Sequence, residues 1–204
     1  MLSFFDMEKG SRAAKLAYVL VNVMLFLLVA GAVVGCIALV HGLVSGGDVS
    51  VRAELPHVHV RSLPGMRIVA GPDVTLEIRD ATTEQQLLSA GTAVGPALLL
   101  GIGLWLLRGL AGSVREGAPF GRANVARLRS LGLLLVVGGS IVAVADWALR
   151  LSLANTLPAS AFGGVGFEGF RFPFPLLLAG LGAFILAEVF ARGVELREDV
   201  EATV

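Results

Sequence analysis

Hydrophobic residues fall in four long blocks along the chain, separated by segments that carry most of the charge. The blocks cover residues 16–44, 87–110, 130–150 and 174–191. Each can form an α-helix long enough to cross the apolar core of a bilayer, which takes roughly 17–25 residues. We therefore expect a mainly α-helical integral membrane protein, in which residues 1–204 form a single domain with four transmembrane helices.

The composition agrees with this assignment. Hydrophobic residues make up 55% of the chain and the mean hydropathy is +0.81, so too little polar surface exists to coat a soluble globule. One cysteine, Cys36, excludes an intramolecular disulfide and a CxxC thiol relay. Three histidines exclude a cytochrome with paired haem-ligating histidines in its helices. We expect no cofactor.

The longest polar segment, residues 45–84, has the two-residue period of β-strands. Apolar and polar side chains alternate over 49–55, 58–60 and 74–78, with Pro-Gly and Gly-Pro-Asp turn signals between them. The pattern predicts a meander of three or four strands, lying as a small β-rich cap outside the membrane between the first two spans. Thr82 or Thr83, followed by glutamines, is expected to cap the second span's helix.

The other polar segments are shorter. Residues 111–129 form a basic hairpin around Gly117, with a new helix starting at or before Asn124, and residues 151–173 form a second extracytoplasmic loop rich in Gly, Phe and Pro. Residues 192–204 continue the last helix as an acidic, amphipathic tail. In this tail Leu196 and Val200 share one side, and Glu198 points the other way.

The distribution of Lys and Arg predicts the orientation. Three lie in the N-terminal segment, five in Arg108–Arg129 and two after the fourth span, whereas the two remaining loops hold four and two. Since short basic loops stay in the cytoplasm, we expect the hairpin and both termini to be cytoplasmic.

The hairpin and the tail carry motifs of a known family. Gly117-Ala118-Pro119-Phe120, Asn124 and Arg127-Leu128-Arg129 occur together with the ending EVFARGVELRED at residues 188–199. These motifs resemble the bacterial membrane family of domain of unknown function 2975 (DUF2975), over nearly the whole chain. The resemblance implies small four-span proteins of the bacterial inner membrane, without catalytic residues to carry over. It also implies regulation, since members are often encoded beside a small helix-turn-helix regulator.

Opposite charges on the two cytoplasmic segments suggest a place for a partner. The tail either packs over the hairpin or is solvated separately. The candidate docking residues are Arg115, Pro119, Phe120, Asn124, Arg127, Arg129, Glu195, Arg197, Glu198 and Asp199. The expected partners are the lipid bilayer and a small cytoplasmic DNA-binding regulator, with no direct binding of nucleic acid.

Two acid–base pairs lie near the ends of apolar blocks. Asp146 precedes Arg150, and Glu188 precedes Arg192, each by one helical turn and in the favourable order. Ionisable groups in a span are candidates for a proton relay. At a membrane rim, local ion pairing explains them as well, and Trp147 favours that depth for Asp146.

Other candidate sites are weaker. His57 and His59 share one face of a predicted strand but lack the third ligand that zinc requires. Val-Val-Gly-Cys36 resembles a lipoprotein cleavage box, yet the apolar run continues past it. No nucleophile or phosphate-loop motif is present. We expect a non-enzymatic regulatory or sensory membrane protein, and the alternative is a small transporter or channel component.

Overall fold

The computed structural model describes residues 2–45, 48–53, 66–69, 74–78, 80–117, 120–156 and 170–202. The helices and strands are, in chain order, α1 (Leu2–Ser45), β1 (Val49–Ala53), β2 (Met66–Val69), β3 (Val74–Ile78), α2 (Thr83–Arg115), α3 (Arg122–Leu133), a π-helical turn (Leu134–Gly138), α4 (Gly139–Asn155) and α5 (Phe174–Ala202). Backbone angles stay helical from α3 through the π-helical turn into α4. These three elements therefore form one continuous helical segment.

Four helical segments in the described part of the chain are long and apolar enough to cross a membrane. They are Arg12–Ser45, Thr83–Arg115, Arg122–Asn155 and Phe174–Val200. This confirms the prediction of four helices long and apolar enough to span a membrane, and it indicates a multi-pass membrane protein. The helices are longer than the predicted apolar blocks, because the residues beyond each block, several of them charged, continue the helical hydrogen bonding. Residues 111–115 and 122–129 of the predicted hairpin accordingly belong to α2 and α3.

The chain divides into two compact units. The first contains residues 1–30, 98–140 and 173–204, and the second contains residues 31–97 and 141–172. In the first unit, α3 and α5 cross at a pair of glycines. A Cβ added to Gly132 would lie 3.0 Å from the carbonyl oxygen of Gly180, and one added to Gly180 would lie 3.0 Å from that of Gly132. The missing side chains thus allow the two backbones to touch.

The second unit contains the sheet and the beginning of α2. The Thr82 N–H donates to Gln85 Oε1 at 3.0 Å, and the Gln85 N–H donates to Thr82 Oγ1 at 3.3 Å. This reciprocal pair is a capping box, with Thr82 as the predicted cap. Gln85 Nε2 also donates to Thr156 Oγ1 at 3.2 Å, at the end of α4.

The three strands form an antiparallel sheet in the order β1-β3-β2. Val49 and Met66 both lie opposite Ile78, on the two sides of the central strand β3. A meander would place β2 in the centre. In this sheet the consecutive strands β2 and β3 are antiparallel neighbours, and β1 pairs with the other edge of β3, so β3 is the central strand. The predicted strand at 58–60 lies outside the described residues, and the position of the sheet as an extracytoplasmic cap stays a prediction.

A small apolar cluster lies beside this sheet. Val49, Ile78, Ala81 and Leu153 are buried together, and Leu88 packs against them. The glycines of α2 in this unit make further helix contacts, since a Cβ on Gly91 would meet Leu149 at 3.3 Å and one on Gly95 would meet Val142 at 3.2 Å. Both glycines therefore face side chains of α4.

Candidate docking site on the basic hairpin and the acidic tail

A buried polar network joins the end of α2 to the start of α3 in the first unit. Asn124 is only 2% exposed. Its Nδ2 donates to Ser113 Oγ at 2.6 Å, and its Oδ1 accepts from Arg127 Nη1 at 2.8 Å. The same Arg127 nitrogen donates to the carbonyl oxygen of Gly109 at 3.2 Å. A buried amide with its partners in place fixes the geometry of the hairpin.

Two glycines allow this hairpin to close. Gly117 has a φ of +78°, the left-handed conformation in which helices commonly end. At Gly109, an added Cβ would lie 2.7 Å from Arg127 Nε, so a larger residue would displace the guanidinium. The candidate docking residue Pro119 lies outside the described residues.

The acidic tail contacts the hairpin directly. Arg122 donates from Nε to Glu198 Oε1 at 3.0 Å and from Nη2 to Glu198 Oε2 at 2.8 Å. Both side chains are largely exposed, and exposed pairs are typically worth about 0–1 kcal/mol. The bidentate geometry therefore fixes orientation more than it adds stability.

An aromatic contact accompanies this ion pair. The rings of Phe120 and Phe190 are 5.2 Å apart, a distance at which aromatic pairs attract. Gly193 leaves space for the Phe120 ring, since a Cβ there would lie 3.2 Å from Phe120 Cδ1. The start of α3 and the projecting end of α5 are thus held together by apolar contact as well as by charge.

A groove lies between α3 and α5 next to the Arg122–Glu198 ion pair. Its volume is about 540 Å³. The lining residues are Arg122, Val125, Ala126 and Arg129 of α3 and Ala191, Val194, Glu195 and Glu198 of α5. Arginines line one side and glutamates line the other, over a floor of small apolar side chains.

The opposite side of α5 carries an exposed apolar stripe beyond the fourth apolar block. Leu196 is 68% exposed and Val200 is 64% exposed. One helical turn separates these two residues, and the exposed Glu195 and Asp199 lie beside them. Glu198 points away from the stripe towards α3, as its helical position predicts.

The structure distributes the predicted docking residues among several environments. Asn124 and Arg127 belong to the internal network. Arg115 lies over the ring of Tyr18, with its Cζ 4.9 Å from the ring centroid. Phe120, Arg129, Glu195 and Glu198 lie along the contact of α3 with α5. The side chain of Arg197 lies outside the described part of the structure.

Sequence reasoning omitted several residues of the groove. Arg122 was counted among the basic residues of the hairpin but was not selected as a site residue. Four apolar residues were not selected either: Val125, Ala126, Ala191 and Val194. Their spacing of three and four within each helix was the available signal, because such residues share one helix face. Nothing in the sequence indicates that these faces of α3 and α5 contact each other.

Both predicted rim pairs form. Arg150 Nε lies 2.7 Å from Asp146 Oδ2, and Arg192 Nε lies 3.5 Å from Glu188 Oε1. Arg129 Nη2 also approaches Glu188, at 3.9 Å. Each carboxylate therefore has a cation one turn along its own helix.

Within the described residues, no group of three or more His, Cys, Asp or Glu is arranged to hold a metal ion. His57 and His59, the weighed zinc ligands, lie outside the described residues. Cys36 is exposed on α1.

Comparison with known proteins supplies the family. The family model described as "Protein of unknown function (DUF2975)" matches residues 69–204, about two thirds of the chain. No curated protein and no solved structure matches the chain. The matched range contains β3 and α2 to α5, with both the hairpin and the tail. It does not include α1 and β1, so it is shorter than the expected resemblance over nearly the whole chain. The chain belongs to this family of unknown function, DUF2975.

Proposed function

We propose that this protein is a non-enzymatic membrane regulator that docks a small cytoplasmic helix-turn-helix protein on the projecting end of α5. The observation that carries the proposal is the exposed stripe of Leu196 and Val200. Large apolar side chains placed in water beyond a membrane span are typical of interaction surfaces.

The orientation is part of this proposal. The excess of Lys and Arg in the N-terminal segment, the hairpin and the tail supports a cytoplasmic position for all three, in the inner membrane of a bacterium. The stripe then faces the compartment in which a DNA-binding regulator resides.

The contacts of α5 with α3 support the role of its exposed face. The Arg122–Glu198 ion pair and the Phe120 ring hold one side of the helix against the hairpin. The other side is thereby presented in a fixed direction, which reduces the entropy lost when a partner binds.

The chemistry of the exposed face indicates the kind of segment that fits. Leu196 and Val200 provide anchors one turn apart, with Glu195 at the edge of this face. An amphipathic helix with apolar residues at matching spacing and basic residues at its edges would complement this face. Helix-turn-helix proteins are built from short amphipathic helices.

Regulation is better supported than transport. A transport path needs polar groups that face a common aqueous route, whereas Asp146 and Glu188 each pair with an arginine of their own helix. Their charges are thus compensated locally.

Photo-crosslinking in intact cells tests the docking. A photoreactive residue in place of Val200 should form an adduct with a small cytoplasmic protein, identified by mass spectrometry as a helix-turn-helix protein. The same residue at Ile185, equally exposed on α5 but within the fourth apolar block, should react with lipid alone. The Leu196→Glu substitution should abolish the protein adduct at position 200. Adducts with lipid or with a second copy of the chain, and with no other protein, would contradict docking.

A further inference from the structure

We propose that a second site in the first unit, a cationic cavity beside Tyr18, binds the phosphate group of an anionic phospholipid. The cavity has a volume of about 420 Å³, and Tyr18, Trp105, Arg108, Ser113 and Arg127 are among its lining residues. It lies apart from the α3–α5 groove and does not depend on the docking proposal.

Positive charge is concentrated around this cavity. The Cζ atoms of Arg108 and Arg115 lie 5.9 Å and 4.9 Å from the centroid of the Tyr18 ring. Arg127 forms a further part of the lining, together with one acid, Glu116. In the described part of the chain, none of the three arginines forms an ion pair with a carboxylate. A bound anion would offset the mutual repulsion of these cations.

Hydrogen bonds hold the Arg127 side chain at the cavity in place before a ligand binds. Arg127 uses Nη1 for its bonds to Asn124 and Gly109, so its remaining N–H groups can donate to a phosphate oxygen. Gly112 borders the cavity, and a Cβ added there would lie 3.9 Å from Tyr18 Cε2, at ordinary contact distance. A fixed guanidinium loses little entropy on binding and suits phosphate geometry.

The surroundings favour a lipid over free phosphate. Trp105 is 66% exposed beside the cavity, and it lies on α2 within an apolar block whose last residues include Arg108. Tryptophan and tyrosine concentrate at the depth of the lipid headgroups. Basic pockets between transmembrane helices bind anionic headgroups, whose acyl chains then lie along the apolar helix surface.

Fluorescence quenching tests the site, since Trp105 lines it. In the Trp147→Phe protein, Trp105 is the remaining tryptophan. The full chain is reconstituted in phosphatidylcholine vesicles that contain brominated phosphatidylglycerol or, in parallel, brominated phosphatidylcholine. We expect the anionic lipid to associate beside Trp105 about tenfold more strongly. Equal quenching by the two lipids would overturn the proposal.

Matched variants distinguish lipid binding at this cavity from attraction of the anionic lipid by general surface charge. The Arg108→Gln/Arg115→Gln double variant should lose the preference, and Gly112→Leu should lose it too by filling the cavity with every charge kept. Arg129→Gln/Arg192→Gln removes the same charge outside the cavity and should keep it. Circular dichroism checks that each variant is folded. A preference retained by both cavity variants would contradict the site.

Millimolar inorganic phosphate distinguishes the two sources of the ligand. If the lipid is the ligand, phosphate at constant ionic strength should leave the quenching by brominated phosphatidylglycerol unchanged. Loss of this quenching on adding phosphate, but not on adding chloride, would assign the cavity to free phosphate and overturn the assignment to a lipid.

Discussion

The crossing of α3 with α5 gives a sharp stability prediction for Gly180→Ala. The added methyl group would lie 2.6 Å from Val136 Cγ2 and 3.0 Å from the carbonyl oxygen of Gly132, whereas ordinary contacts start at 3.4 Å. Overpacking of this kind costs about 1–3 kcal/mol. Alanine gains about 1 kcal/mol over glycine in a helix interior, so the net effect of the substitution is a loss of up to about 2 kcal/mol.

Gly182→Ala is the matched control. Gly182 lies on the same helix, and nothing is within 4 Å of its added Cβ. The Gly182→Ala variant therefore gains the higher helix propensity of alanine without a steric clash. The free energies of unfolding of the two variants should differ by about 1–3 kcal/mol. At about 2–4 °C per kcal/mol for a chain of this size, a central value of about 2 kcal/mol separates the two Tm values by roughly 4–8 °C.

Thermal unfolding in a mild detergent, followed by circular dichroism, measures this difference. Equal Tm values for Gly180→Ala and Gly182→Ala would refute the close backbone contact. A Gly180→Ala protein more stable than the control would refute it more strongly, because the methyl group would then have found space.

Three further predictions concern the polar network, the helix cap and the orientation. Asn124→Ala leaves buried donors and acceptors unpaired and should lower the free energy of unfolding by about 1–3 kcal/mol, measured as a lower Tm in detergent. Gln85→Ala removes half of the capping box and should cost about 1 kcal/mol in the same assay; an unchanged Tm would show that water replaces the bond. In a Cys36→Ser background, an impermeant maleimide should label Glu84→Cys in intact cells and Glu116→Cys only after permeabilisation. The reverse labelling would invert the proposed topology.

Hydropathy and local spacing predicted the parts of the structure that depend on neighbouring residues. The four apolar helices follow from segment length and composition. The Thr82–Gln85 cap and the pair of Asp146 with Arg150 follow from spacings of three and four, which a helix brings together regardless of its surroundings.

Features that depend on distant residues were not predictable. The π-helical turn at Leu134–Gly138 lies in an apolar run without a distinctive residue. Many glycines suit a helix contact, so the sequence could not identify Gly132 and Gly180 as the pair that meets. The burial of Asn124 also depends on contact with Ser113 of α2, a different helix, whereas Arg127 lies one turn away on the same helix.

The contact of Arg122 with Glu198 has a consequence for biosynthesis. The two residues are 76 positions apart, and the intervening chain contains the whole of α4 and most of α5. The basic hairpin is therefore synthesised well before the residues of α5 that contact it. Until the last helix has been translated and inserted, the start of α3 lacks this partner. A chain truncated before Glu198 would therefore leave Arg122 without this acidic partner.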